Sequence, residues 1–526
     1  MSDFAKKEQR MMGGVIILML ASLFEKILGV IFKIPLYNLL GSTGMGYFNA
    51  AYSIFSTFYT ISLTGFPIAV SIMISKSVSS GRVKEVKRIY TVALAVFLSL
   101  GIVGSSVMFF GADIIANVID SANSSSLCIK AIAPILFLIC FSSSIRGYFQ
   151  GHRNMTPTAI SEFLDALGKC LLGVVFAIYA TSKGYSTPVR AAFAIAGVTA
   201  GHLLGLAFLL VFKRIFDKKQ DKEGSAECER FRTLLSRLFE IAVPITLSSM
   251  ALGLTSNIDT FTVMNCLGSE QAMAMYGDYT TLAVTLFRLP QAFITPISSA
   301  LTPTIASAVE KHDKERAKSA MNSAFKLAAV ISVPCAFGMG IFAFPIIYLL
   351  FGNGSSAEAI ATTAPYLSVL SVGIIFMAAL TVTSSVLQSH NLEKKPVIAA
   401  LFGCLTKLVL NIILVSNIGM IGAPISSALG YFVMAALNFH FVIKYVYPDM
   451  KIGVVMLKTV LASVIMSAFA IAVYVILYRI TSSVKISVLV AVLLAIPTYA
   501  VFLLKIRGID KNDVMMLPYG DRIYNI

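Results

Sequence analysis

Residues Gly13 to Leu40, GGVIILMLASLFEKILGVIFKIPLYNLL, form an apolar run that carries Glu25, Lys26 and Lys33 inside it. A bilayer span needs about 20 such residues. A charge within a span costs about 3 kcal/mol on insertion scales, so charges at that depth face protein or water rather than lipid. The run therefore reads as a transmembrane helix with one face on a polar interior. Working outward from it, some fourteen comparable stretches fill the chain. The expected fold is an all-α integral membrane protein of about fourteen transmembrane helices built around a charged cavity.

Composition agrees. The 526 residues are 57% hydrophobic and 13% charged, with a mean hydropathy of +0.83, far from soluble globular values. Fourteen spans with short loops leave no room for a sizeable soluble domain. The net charge of +16 does not point to nucleic acid, because the basic residues are not gathered on one aromatic-rich segment. They alternate from loop to loop. Lys6, Lys7 and Arg10 precede span 1; Lys76 to Arg88, Lys213 to Arg237, Lys311 to Lys318, Lys394 and Lys395, Lys444 and Lys451, and Lys505 to Lys511 follow the even-numbered spans. That positive-inside pattern puts both termini in the cytoplasm, as an even span number requires. The expected location is the bacterial cytoplasmic membrane, with membrane lipids as neighbours. Seven scattered cysteines with no CxxC indicate neither a disulfide framework nor a structural metal. Span 1 reads as a signal anchor that is retained. Tryptophan is absent, so an interfacial belt rests on the 20 tyrosines.

The expected spans are 13–40, 46–75, 89–110, 128–149, 158–182 and 191–212, then 238–263, 276–302, 327–351, 360–387, 397–416 and 422–443, and finally 457–479 and 487–506. The longest hydrophilic break, 213–237, reads as a cytoplasmic linker between an N-terminal lobe (1–212) and a C-terminal lobe (238–443) of six helices each. Residues 444–526 hold two appended helices and a tail. An internal echo supports the two lobes. Ala133-Pro134 opens span 4 and is followed by Gln150, His152 and Lys169; Ala364-Pro365 opens span 10 and is followed by Gln388, His390 and Lys407. The Gln, His and Lys keep the same spacing, and six helices, an even number, separate the copies, so they share one orientation and form a parallel pseudo-repeat; the other reading is chance similarity between two apolar helix pairs. Transporters place substrate where such halves meet.

The intramembrane charges are the candidate site residues. Lys26 and Lys33 lie two helical turns apart on one face, with Gly29 between them leaving room for a ligand. That face suits a diphosphate; the other reading is a Glu25–Lys26 pair with Lys33 snorkelling beside Pro35. Glu162, Asp165 and Lys169 share a face of span 5. Asp165 and Lys169 either neutralise each other at i,i+4 or serve gating and ion coupling. Arg288, ahead of Leu289-Pro290 in an apolar run, needs a carboxylate partner or a substrate phosphate. Asn257 and Asp259 offer hard oxygen ligands for a proton or sodium ion, or cap a helix end. No P-loop, GxSxG or HExxH occurs, and the histidines, mostly in loops, form no cluster. No catalytic residue, metal ligand or cofactor is therefore expected, and active transport would draw on a proton or sodium gradient or on membrane potential.

The segment Arg146-Gly147-Tyr148-Phe149-Gln150-Gly151, followed by Asn154-Met155-Thr156-Pro157-Thr158-Ala159-Ile160-Ser161, resembles a signature of the stage V sporulation protein B and lipid II flippase (MurJ-like) branch of the multidrug/oligosaccharidyl-lipid/polysaccharide (MOP) exporter superfamily. Lys26-Ile27-Leu28-Gly29 through Lys33-Ile34-Pro35-Leu36-Tyr37 resembles the branch's basic first helix, and Gly65-Phe66-Pro67-Ile68-Ala69 its second. The resemblance implies two six-helix lobes that alternate between inward- and outward-open forms. It implies a lipid-linked oligosaccharide as substrate, a cationic cavity for its diphosphate, a groove at the last two helices for its tail, and cell-envelope biosynthesis proteins as partners. Lys26 and Lys33 match basic positions of helix 1, and Asp165 and Lys169 match an acid and a base of helix 5. Two departures stand out. Residues Phe55 to Thr64 lack the cavity arginine that flippases of this type carry on helix 2. On helix 11, where some relatives place an acid for sodium, this chain has Lys407 and Asn411.

The leading expectation is a flippase for an undecaprenyl-diphosphate-linked saccharide, with Lys26, Lys33, Lys169 and Arg288 meeting the substrate. Glu25, Glu162, Asp165, Asn257, Asp259, Lys407 and Asn411 are the expected gating or coupling groups. The alternatives are an ion-coupled multidrug efflux pump, a membrane-embedded glycosyltransferase or ligase, and a non-transporting scaffold.

Overall fold

A computed structural model describes residues 2–63, 65–119, 124–152, 154–219, 229–267, 271–310, 312–390, 392–447 and 452–506. The centre of the expected linker with Cys228, together with Lys311, Lys451 and the tail 507–526, lies outside the described residues, as do the side chains of Lys6, Lys7 and Arg10.

Among the described residues there are helices and no strands. The chain begins with α1 (Ser2–Leu63), two helices joined across a kink at Gly41. Gly41 takes φ 68°, a left-handed conformation that costs glycine little and other residues more. After α2 (Gly65–Ser79) come α3 (Val83–Phe110), the short α4 (Ala112–Ile119), α5 (Ser126–Gly151), α6 (Thr156–Ser182), α7 (Thr187–Lys219), α8 (Phe231–Leu267) and α9 (Ala272–Asp278). A π-helical turn (Tyr279–Val284) leads into α10 (Thr285–Phe287) and α11 (Leu289–Glu310). The chain continues through α12 (Lys314–Ile341), α13 (Ala343–Phe351), α14 (Ala357–Ser389), α15 (Lys394–Ile418), α16 (Gly422–Tyr445), α17 (Ile452–Thr481) and α18 (Val484–Lys505).

Ten of these helical stretches are long and apolar enough to cross a membrane. Two of them, Leu23–Val78 at 56 residues and Lys394–Tyr445 at 52, have length for two crossings each, so these stretches supply twelve crossings among the described residues, and the further helices α8 and α11 are consistent with the expected fourteen. Their outer surfaces are apolar: Phe110, Ile114, Ile480 and Leu504 are 79%, 72%, 73% and 64% exposed. In water such faces would drive aggregation; in a multi-pass membrane protein they meet acyl chains. Expected spans are divided in the structure: α1 ends at Leu63 and α2 begins at Gly65 within 46–75, and 276–302 is broken at Arg288 between α10 and α11. Instead of a helix over 327–351, α12 starts at Lys314, where the Asp313 carboxylate accepts the Arg316 backbone N–H and caps it, and a break at Phe342 separates it from α13.

The chain forms two compact units, Met1–Gly277 and Asp278–Ile526. Helix α8, which the sequence reading put at the head of the second lobe, packs on α1 and α2 within the first unit. In unit 1, α6 lies along α7 and α3 along α5, around an aromatic core that includes Phe66, Phe97 and Phe149. In unit 2, α15 lies along α16, α14 joins α12 and α16, and α17 pairs with α18 against α12. There the Tyr499 hydroxyl donates to the Val330 carbonyl at 2.9 Å.

The Gln-His-Lys echo has a structural counterpart. Helices α5 and α14 both contain a proline, Pro134 and Pro365, and both end at a C-cap histidine. His152 Nδ1 lies 2.9 Å from the Tyr148 carbonyl and His390 Nδ1 lies 2.8 Å from the Val386 carbonyl.

Candidate functional site: a charged cluster in the first unit

Helices α6 and α7 touch along a seam of glycines. A Cβ added at Gly168 would stand 2.5 Å from the Gly201 carbonyl oxygen, and one at Gly205 would stand 1.9 Å from Asp165 Oδ1. Asp165 can therefore lie beneath α7 only because position 205 has no side chain. Its carboxylate is met from α5, where Arg146 Nη2 donates to Asp165 Oδ2 at 2.6 Å and Arg146 Nε donates to Ser161 Oγ at 3.1 Å. Arg146 Nη1 lies 3.8 Å from Glu162, and His202 Nδ1 of α7 lies 3.2 Å from Asp165 Oδ2. Arg146, Asp165 and His202 are 5%, 4% and 2% exposed. Charges this deep persist when paired and hydrogen-bonded, and a guanidinium does so with its fork.

The partner of Asp165 is thus Arg146 from the neighbouring helix, not Lys169 along its own. Lys169 is half-buried and lies within electrostatic reach of Tyr52, Glu25 and Asp165. Glu25 and Glu162 are likewise within reach of each other and of Tyr59. The first, fourth, fifth and sixth expected spans, with the second through its tyrosines, converge on one cluster. His202 belongs to it although the sequence showed no histidine cluster, and Arg146 stood in the sequence only as part of a signature.

On the first helix, Glu25 is half-buried and Lys26 exposed. Lys33 donates to Asn49 Oδ1 at 3.3 Å, and a Cβ at Gly29 would meet nothing within 4 Å.

A second polar group joins α1 to α8. Ser53 Oγ donates to Asn257 Oδ1 at 2.7 Å, Asn257 Nδ2 donates to Thr57 Oγ1, and Thr260 Oγ1 donates to Ser53 Oγ at 2.8 Å and lies 2.7 Å from the Tyr276 hydroxyl. Asn257 is an interhelical bridge rather than a helix cap. Asp259 is buried nearby in sequence at 7% exposure.

In unit 2, Arg288 occupies the break between α10 and α11, and its side chain is exposed, with no ion pair among the described residues. Lys407 and Asn411 on α15 are 3% and 0% exposed, and Asn411 Oδ1 accepts from Ser426 Oγ at 3.1 Å. Three contacts of the α6–α7 seam recur between α15 and α16 with altered chemistry. Lys169 beside Gly201 becomes Lys407 beside Gly430; Asp165 against Gly205 becomes Gly403 against Met434; Gly173 against Gly197 becomes Asn411 bonded to Ser426. The acid that anchors the unit 1 cluster is replaced by glycine, and the facing glycine by a methionine that fills its space. No group of three or more His, Cys, Asp or Glu able to hold a metal occurs among the described residues.

The profile of the family described as "Polysaccharide biosynthesis protein" matches residues 11–309, and that of the MatE family matches 244–413. Lipid II flippase MurJ of Bacillus subtilis (strain 168) is 24% identical, over 86% of each chain. Stage V sporulation protein B of the same organism is 26% identical, over 82% of this chain and 83% of its own. In fold, the chain resembles an inward-facing multidrug resistance MATE family transporter of the MOP superfamily at TM-score 0.66 and 15% identity, over 81% of this chain and 97% of the other. It resembles a lipid II flippase MurJ in an inward closed conformation at TM-score 0.64 and 17% identity, over 93% and 98%. A profile that takes in more than half the sequence, on a fold shared with both transporter types, assigns the chain to the polysaccharide biosynthesis protein family within the MOP exporter superfamily.

Proposed function

We propose that the protein flips an undecaprenyl-diphosphate-linked saccharide across the bacterial cytoplasmic membrane by alternating access, with both termini in the cytoplasm. The observation that carries this reading is the first helix: Lys26 is exposed, Lys33 is only half-buried, and Gly29 between them opens on empty space. Exposed ammonium groups within a span are tolerated where they meet water or an anionic ligand, and a diphosphate supplies that anion. Arg146 is not available for this role because Asp165 and Ser161 occupy it. Lys169 of the same unit lies deeper, beside Glu25 and Tyr52. Glu25, Glu162 and Asp165, joined to the same cluster, are the groups through which a proton or the membrane potential would act. Asn257 serves the α1–α8 bridge, and Lys407 with Asn411 marks the uncoupled counterpart in unit 2. Membrane lipids surround the helices, and cell-envelope biosynthesis proteins would supply and accept the cargo.

The test is rescue of a bacterium depleted of its lipid II flippase, with insertion of the protein verified. Rescue that Lys26→Ala abolishes supports a lipid II-like cargo. Equal rescue by Lys26→Ala would contradict the cationic-face reading.

A second reading, multidrug extrusion, draws on the MatE match over 244–413 and on the acidic groups Glu25 and Glu162. It requires a deletion strain to become drug-sensitive, and an unchanged drug profile would remove it.

A further inference from the structure

A row of aromatic rings runs down the second arm of α1. Phe48, Tyr52, Phe55 and Tyr59 share one face of the helix, with successive ring centroids 6.0, 5.5 and 5.6 Å apart. Phe32 of the first arm backs Phe48 at 6.1 Å. The phenylalanines are buried, whereas Tyr52 is 37% exposed and Tyr59 half-buried. The phenylalanines therefore act as anchors, and Tyr52, stacked on Phe48, keeps part of its side chain exposed. Neither tyrosine hydroxyl makes a hydrogen bond among the described residues.

Charge surrounds the two tyrosines. Tyr59 is within electrostatic reach of Glu25, Arg146 and Glu162, and Tyr52 is within reach of Lys169. Neither Lys169 nor Glu25 makes a hydrogen bond to a described residue. Ionic groups in this condition need water or a polar ligand, so the ring surface beside them does not face acyl chains. A diphosphate suits this place poorly, because Glu25 and Glu162 would repel it. A neutral sugar suits it well. The C–H face of a pyranose ring packs on the electron-rich face of an aromatic ring, while its hydroxyls donate to carboxylates and accept from an ammonium or a phenol.

We propose that Tyr52 and Tyr59, with Glu25, Glu162 and Lys169, form a saccharide-stacking subsite in the first unit that reads the sugar of the cargo, separate from the Lys26 and Lys33 face that meets its diphosphate. The inference rests on the flippase reading above and adds a specificity-determining site to it.

The full-length protein in lipid nanodiscs would be titrated with two probes, undecaprenyl diphosphate and undecaprenyl-diphosphoryl-N-acetylglucosamine. The wild type is expected to prefer the sugar-bearing lipid by about three- to tenfold, the scale of one or two ring contacts. Tyr52→Leu and Tyr59→Leu should move that ratio towards one, and Tyr52→Phe should keep most of it, because the ring rather than the hydroxyl does the stacking. A ratio cancels losses common to both lipids, so partial unfolding of a variant does not imitate the result. Equal wild-type affinity for the two probes, or a preference untouched by both leucine variants, would overturn the subsite. Failure of the wild type to bind either probe would instead overturn the flippase reading on which it rests.

Discussion

Arg146 of α5 and Asp165 of α6 are joined by a 2.6 Å hydrogen bond between groups that are both almost wholly buried. The pair ties two helices of the first unit at the point where His202 of a third helix approaches the same carboxylate at 3.2 Å. Breaking one side of such a pair leaves a charge without compensation, whereas removing both sides removes the cost as well.

Arg146→Ala should therefore destabilise the protein by about 3–5 kcal/mol, and the double variant Arg146→Ala with Asp165→Ala should lose less than the sum of the two singles. Thermal unfolding of detergent-solubilised protein measures both. Additive losses would show that the two groups do not act as a pair.

Gly205 and Gly29 should respond oppositely to alanine. At 205 the new Cβ would fall 1.9 Å from Asp165 Oδ1, so α7 or the acid must shift, and melting temperature and membrane yield should both drop. At 29 the Cβ meets nothing within 4 Å, and helix propensity favours alanine by up to about 1 kcal/mol. Gly29→Ala should leave the melting point equal or raised. A lower melting point for Gly29→Ala than for Gly205→Ala would contradict this packing.

Asn257→Leu removes the acceptor of Ser53 and the donor to Thr57. Interhelical hydrogen bonds in membranes average about 0.6 kcal/mol each, so the loss should be about 1 kcal/mol, read as a small drop in melting temperature. Ser53→Ala made in the Asn257→Leu background should add only the loss of the remaining Thr260–Ser53 bond, about 0.6 kcal/mol. A full second increment would show that Ser53 stabilises through other contacts.

His152, just past the end of α5, has its pKa held below the ordinary histidine value by burial, while hydrogen bonding to the Tyr148 carbonyl and the charge of Asp217 act the other way and Lys213 reinforces the lowering. The unfolded chain takes up the proton at about 6.5 and the folded chain only at lower pH, so folding favours the neutral ring. Its stabilising contribution is present above about pH 6.5 and is lost as pH falls through the folded value. His152→Gln should flatten the fall in melting temperature between about pH 7 and pH 5. An identical fall in the variant would show that other groups carry it.

The parts of this structure that a linear reading could find are those with a fixed spacing along the chain. Apolar runs of span length and the Gln-His-Lys spacing are of that kind, and both have counterparts in the fold. Arg146 and His202 are different: their relation to Asp165 exists only between helices, and no periodicity within α6 encodes it. The acid-before-base step from Asp165 to Lys169 offered a local partner, but a guanidinium from α5 that also bonds Ser161 wins because it satisfies more of the buried groups at once. The start of α12 was missed for a related reason. Its first turns are polar, and a capping aspartate at 313 rather than hydropathy sets where the helix begins.

The central claim, that a cationic face on the first helix moves a lipid diphosphate, is tested most directly by flipping in proteoliposomes. Purified protein would be reconstituted with a fluorescent undecaprenyl-diphosphate-linked sugar, and its transfer between leaflets timed for wild type and Lys26→Ala at equal protein content. Loss of one charged contact to phosphate is worth about 1.5–3 kcal/mol, so the variant should be slowed at least about tenfold while a neutral phospholipid stays unflipped by either. Equal rates for wild type and Lys26→Ala, or no protein-dependent transfer of the lipid-linked sugar, would contradict the account.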